Sequence, residues 1–155
     1  MRSLLIFLIW VLATHMILPT ATSASDLEAE QRLNTVAKEF VTQLGISEEI
    51  AVSIVEVNEY LVSVQRSPEA KKGFIIKFER KFLPTLSDEE LRAVIAHELG
   101  HIWIFTHHPY LQTEALANEK ALQLVSRKSL EQVYGKVWAH TGQKGNLRDF
   151  LAKVE

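Results

Sequence analysis

Ser87-Asp88-Glu89-Glu90-Leu91-Arg92-Ala93-Val94-Ile95-Ala96-His97-Glu98-Leu99-Gly100-His101-Ile102-Trp103-Ile104 is the stretch around which the rest of the chain is arranged. Leu91, Val94, Ile95, Leu99, Ile102 and Trp103 recur at helical spacing, so the stretch reads as one helix. Ser87 and Glu90 stand as a Ser-x-x-Glu capping box, in which hydroxyl and carboxylate each satisfy a backbone N–H orphaned at the helix start.

On this helix His97 and His101 lie four residues apart, so both imidazoles leave one face and can share one metal ion. Glu98 is rotated by roughly 100° from His97. That is too far round to complete the pair, yet near enough to reach a water on the metal as general base. Gly100 costs a helix interior about 1 kcal/mol relative to alanine, which predicts another backbone packed close beside the histidines. The apolar neighbours Ala96, Leu99, Ile102, Trp103 and Ile104 set the pair against a core face, where imidazoles need partners.

A catalytic zinc site usually takes three protein ligands. Downstream, Thr113 to Val125 reads as a helix with Glu114 in its first turn. The loop from Thr106 to Gln112 lets the two helices lie antiparallel, bringing Glu114 beside His101. Asn118 faces the same way one turn later and can hydrogen-bond the free nitrogen of a ligand histidine. Glu119 is the competing ligand, but it points roughly 140° away from Glu114. His107 and His108, beside Pro109, read as a helix end and loop rather than as ligands.

Upstream, Ser25 to Leu44 carries Leu33, Val36, Ala37, Phe40, Val41 and Leu44 on one helical face, with a second capping box at Ser25 and Glu28 and a stop at Gly45. Ile50 to Val57 and Tyr60 to Gln65 are rich in β-branched residues, with Asn58-Glu59 as the turn between them. Turn chemistry from Ser67 to Gly73 precedes a third strand, Gly73 to Phe78. The expectation is an α+β fold: a small, mostly antiparallel sheet of about three strands packed on the HExxH helix and a glutamate helix. An edge strand beside the metal helix can accept an extended peptide. Ser129 to His140 and Leu147 to Val154 are expected to close the domain as helices. Tyr110, Tyr134 and His140 are candidate donors to an oxyanion.

The 155 residues suit one domain. Met1-Arg2, the apolar run Ser3 to Leu18 and the small-residue tail Pro19 to Ala24 form a secretory signal peptide by pattern. Residues 1–24 are therefore expected to be removed, leaving residues 25–155 as one domain exported to the periplasm or the medium without stable membrane insertion. The chain has no cysteine, which excludes disulfides and thiolate zinc sites. A net charge of −2 and the lack of a basic stripe argue against a nucleic-acid partner.

Leu91 to Ile102, followed by Glu114-x-x-Ala117-Asn118-x-x-Ala121-Leu122, resembles the gluzincin metallopeptidases of the M48 type, and particularly their compact single-domain relatives, the minigluzincins. The resemblance runs from Ile50 to about Val125. It implies a zincin-like fold, Zn2+ held by His97, His101 and Glu114, Glu98 as the base and Asn118 as the partner behind a ligand. The implied activity is hydrolysis of a peptide or protein substrate. The connecting loop is shorter than in most M48 enzymes, the transmembrane helices of the membrane-embedded members are absent, and asparagine replaces the commoner aspartate. The rival expectation is a zinc-binding but latent fold serving as an interaction module.

Overall fold

The computed structural model describes residues 24–69, 73–143, 145–147 and 151. The expected signal peptide lies outside these residues except for Ala24, the first residue of helix α1 (Ala24–Leu44). Ser25, expected to cap that helix, therefore lies inside it. Leu33, Ala37, Phe40 and Leu44 form its buried stripe. It ends in a Schellman motif: Gly45, at φ 65°, donates to the Thr42 carbonyl and Ile46 to the Val41 carbonyl.

Three strands follow: β1 (Glu49–Val55), β2 (Val62–Arg66) and β3 (Gly73–Glu79). Their spatial order is β1-β3-β2, with β1 parallel and β2 antiparallel to β3. The sheet is thus mixed, where a mostly antiparallel one was expected. The chain does turn at Asn58, whose side-chain amide donates to the Ser63 hydroxyl (3.0 Å) and the Lys77 carbonyl (2.9 Å). The turn carries β2 past its predecessor instead of back against it, and β3 fills the gap. The Phe74-Ile75-Ile76 run suits a central strand: Phe74, Ile76 and Phe78 are all buried.

The two edges of the sheet differ. On β1, the Asn34 side chain of α1 accepts from the Val52 N–H (3.0 Å) and donates to the Val52 carbonyl (3.2 Å), and Glu30 accepts from the Ile54 N–H (2.7 Å). On β2, the Ser67 N–H donates to the Gly73 carbonyl (2.9 Å), which fixes the phase of the ladder. Val64 and Arg66 therefore turn their backbone N–H and C=O groups outward, while the side chains of Val62, Val64 and Arg66 share the face that carries Phe74, Ile76 and Phe78.

A short 3-10 turn (Leu83–Thr85) leads into α2 (Asp88–His107), the central helix, with Ala93, Ile95, Ala96, Leu99 and Ile104 fully buried. Its capping box forms as expected: Ser87 accepts from the Glu90 N–H (3.3 Å), and Glu90 accepts from the Ser87 N–H (2.7 Å). Helix α3 (Glu114–Ala121) is shorter than expected, and α4 (Arg127–Thr141) starts earlier. Ser126 caps α4 by accepting from the Ser129 N–H (3.1 Å), which forces the chain to turn over residues 122–125. Of the expected last helix, Leu147 is helical and accepts from the Leu151 N–H (2.8 Å); residues 148–150 and 152–155 lie outside the described part. Among the described residues no helix is long and apolar enough to cross a membrane.

Candidate metal centre

α2 presents His97 and His101 one turn apart, ring centroids 4.7 Å from each other. Gly100 lies between them on the side facing α3. A Cβ there would stand 2.4 Å from the Ala117 carbonyl oxygen, so only glycine lets the α3 backbone approach this closely. That approach brings the first turn of α3 over the histidines. Thr113 caps it by accepting from the Leu116 N–H (3.2 Å).

Glu114 then reaches both rings. Its carboxylate oxygens lie 3.3 Å from His97 Nε2 and 3.4 Å from His101 Nε2. The three side chains offer ligand atoms all within 4.8 Å of one another. Behind them, His97 Nδ1 lies 2.8 Å from Asn118 Oδ1, and His101 Nδ1 lies 3.3 Å from Gln112 Oε1. Asn118 is fully buried and spends its NH2 on the Tyr134 hydroxyl (2.7 Å); Gln112 spends its own on the His101 carbonyl (3.2 Å). Both amide oxygens therefore accept, and both histidines carry their proton on Nδ1. The two Nε2 lone pairs, 3.2 Å apart, face each other and a carboxylate. Such a group calls for a cation, and two imidazoles with one carboxylate are a zinc-type donor set.

The ionisation of the site follows from the same contacts. Partial burial raises the Glu114 carboxyl, but the adjoining His101 and His97 rings, whenever they take up a second proton, more than offset it and hold the group well below the ordinary carboxylate range. Burial lowers the His101 imidazole, yet Glu114 and the charge of Glu98 leave it raised. Glu98 goes up: burial outweighs the opposing pull of His97 and His101, and the Glu114 charge adds to it. Tyr134 donates to Glu114 Oε2 (3.2 Å); burial and then the Glu114 charge raise its phenol, which stays protonated.

These side chains line a cleft of about 1130 Å³. Val62, Val64 and Arg66 of β2 form one wall, Val133, Tyr134 and Val137 of α4 the other, and Glu98 opens onto the floor between them. The structure thus brings together His97, Glu98, His101, Glu114 and Asn118. Glu119 is exposed and outside the group. His107 stacks on Trp103 (4.4 Å) away from it, His140 packs on Phe82 (5.9 Å), and Tyr110 is 98% exposed. Gln112 escaped sequence reasoning; its only signal was a place in the loop, two residues before Glu114.

The chain matches the family model of peptidase family M48 over residues 27–151. It belongs to that family. An uncharacterised protein of Aquifex aeolicus, aq_aa15, is 33% identical over 110 residues, spanning 70% of this chain and 90% of its own length. Two crystal structures of metallopeptidase zymogens share the fold. Methanocaldococcus jannaschii jannalysin matches with a TM-score of 0.51 and 18% identity over 70% of this chain and 95% of its own; Pyrococcus abyssi abylysin matches with 0.50 and 13% over 74% and 99%. The family is one of metallopeptidases, and the α+β architecture expected from the sequence is that of these neighbours.

Proposed function

We propose that this chain is an exported zinc-dependent endopeptidase. One observation carries the reading: two imidazole lone pairs and a carboxylate converge at the floor of a cleft bordered by an open strand edge. His97, His101 and Glu114 hold the zinc, with Asn118 and Gln112 fixing the two rings. The ion supplies Lewis acidity toward the scissile carbonyl and makes a water acidic enough to ionise near neutral pH. Glu98 takes the proton of the attacking water and delivers it to the leaving amine; burial raises its carboxyl. The outward N–H and C=O groups of Val64 and Arg66 pair with an extended substrate backbone. Export rests on the N-terminal pattern of residues 1–24.

The decisive variant is Glu98→Gln. It is expected to keep zinc and lose casein cleavage by at least a hundredfold, the usual scale for removing a general base. Undiminished cleavage by the variant overturns the mechanism. A zinc-loaded, unmodified chain that leaves casein intact overturns the enzyme in favour of a latent binding fold.

A further inference from the structure

Strand alternation assigns the helix-facing side of β2 to apolar residues, and Val62 and Val64 obey it. The third residue on that face is Arg66. It lies directly opposite Phe74 in a pair that exchanges no ladder hydrogen bonds, where side chains stand closest. Its guanidinium sits 4.7 Å from the centroid of Phe74 and 4.6 Å from that of Phe105, and the two rings meet edge to face at 5.6 Å.

Contact with aromatic rings spends none of a guanidinium's N–H donors on a hydrogen-bond acceptor. Arg32, Arg80 and Arg92 each pair with a carboxylate, on Asp88, on Asp26 and Glu56, and on Glu39 respectively. Among the described residues no carboxylate pairs with Arg66. It lines the same cleft as Glu98 and the histidines, and it is exposed. Phe105, one of the two rings beside it, follows His101 by one helical turn, about 6 Å along the axis. Two residues of an extended peptide span about the same length.

We propose that Arg66 reads a carboxylate on the substrate, so that the cleft selects peptides with an acidic group about two residues from the scissile bond. The inference rests on the peptidase reading. A carboxylate meets the guanidinium edge with two parallel hydrogen bonds, which an amide cannot match in charge and a lysine opposes. Its source is either an acidic side chain or the free end of the peptide.

The test measures binding, so that it does not depend on turnover. The zinc-supplied full chain carrying Glu98→Gln is titrated with labelled eight-residue valine-alanine peptides bearing Glu, Gln or Lys at each position in turn, and with Gln peptides ending in a free carboxylate or an amide. At one position Glu is expected to bind about tenfold tighter than Gln, the scale of one charge-assisted pair. Adding Arg66→Gln should bring that ratio to about one, and Arg66→Lys should partly restore it. A preference for the free end over the amide, lost with the same substitution, assigns the carboxylate to the peptide terminus. Equal binding of all peptides, no binding of any, a Glu preference that survives Arg66→Gln, or a uniform loss across the series overturns the proposal. Cleavage of the same peptides by the chain with Glu98 intact is scored separately: selective binding without cleavage contradicts the peptidase and leaves the reading of Arg66 standing.

Discussion

The two edges of the sheet are treated in opposite ways. On β1 the outward N–H and C=O of Val52 and the N–H of Ile54, which a further strand would use, are taken by Asn34 and Glu30 of α1. On β2 the corresponding groups of Val64 and Arg66 face a cleft floored by the histidines. An unpaired edge invites unwanted strand pairing and is normally blocked. Here side chains of α1 occupy the edge remote from the histidines, and the edge beside them carries no such partner among the described residues. The contrast also explains the opposite duties of two polar residues on helices: Asn34 completes a strand, whereas Asn118 completes a histidine.

Closing an edge is a matter of stability, so its removal should strike there. Asn34→Leu strands the N–H and C=O of buried Val52 and is expected to destabilise the fold by about 2 kcal/mol, the scale of buried polar groups left unsatisfied. Chemical denaturation measures it, and cleavage per folded molecule should not change. The open edge should respond the other way. Val64→Pro deletes an outward N–H without touching the ladder, a position where edge strands tolerate proline. It should lower kcat/KM about tenfold, the equivalent of about 1.4 kcal/mol, with little change in stability. Equal stability losses in the two variants would erase the distinction.

A smaller effect concerns the frame both edges share. Burial raises the Glu90 carboxyl, but Lys136 (2.6 Å) and Ser87 more than offset it, so its folded pKa is depressed. A depressed carboxyl contributes stability that is present above its unfolded value and lost as the pH falls through the folded one. Glu90→Gln should therefore flatten the loss of stability on acidification below about pH 4. An unchanged slope would remove Glu90 from the account.

Legibility followed locality. The capping box, the two histidines and the glycine between them lie within fifteen residues, and the structure places them as their spacing requires. Glu114 and Asn118 could be placed beside the histidines because one short loop fixes the antiparallel packing of α3 on α2. The sheet order was hidden because β-branched runs mark strands without naming their neighbours; β3 enters between two strands made earlier. Tyr134 comes from α4, 20 residues beyond Glu114, and its bonds to Asn118 and Glu114 exist only once α4 has packed. Among Tyr110, Tyr134 and His140 the sequence offered no means of choosing.

The claim on which the rest depends is that the His97, His101 and Glu114 group holds zinc. Metal content of the purified chain beside its Glu114→Ala variant tests it directly. One zinc per chain is expected, lost or weakened at least a hundredfold in the variant while the helical content stays the same. A chain that takes up no zinc when it is offered at neutral pH, or a variant that keeps it undiminished, would contradict it.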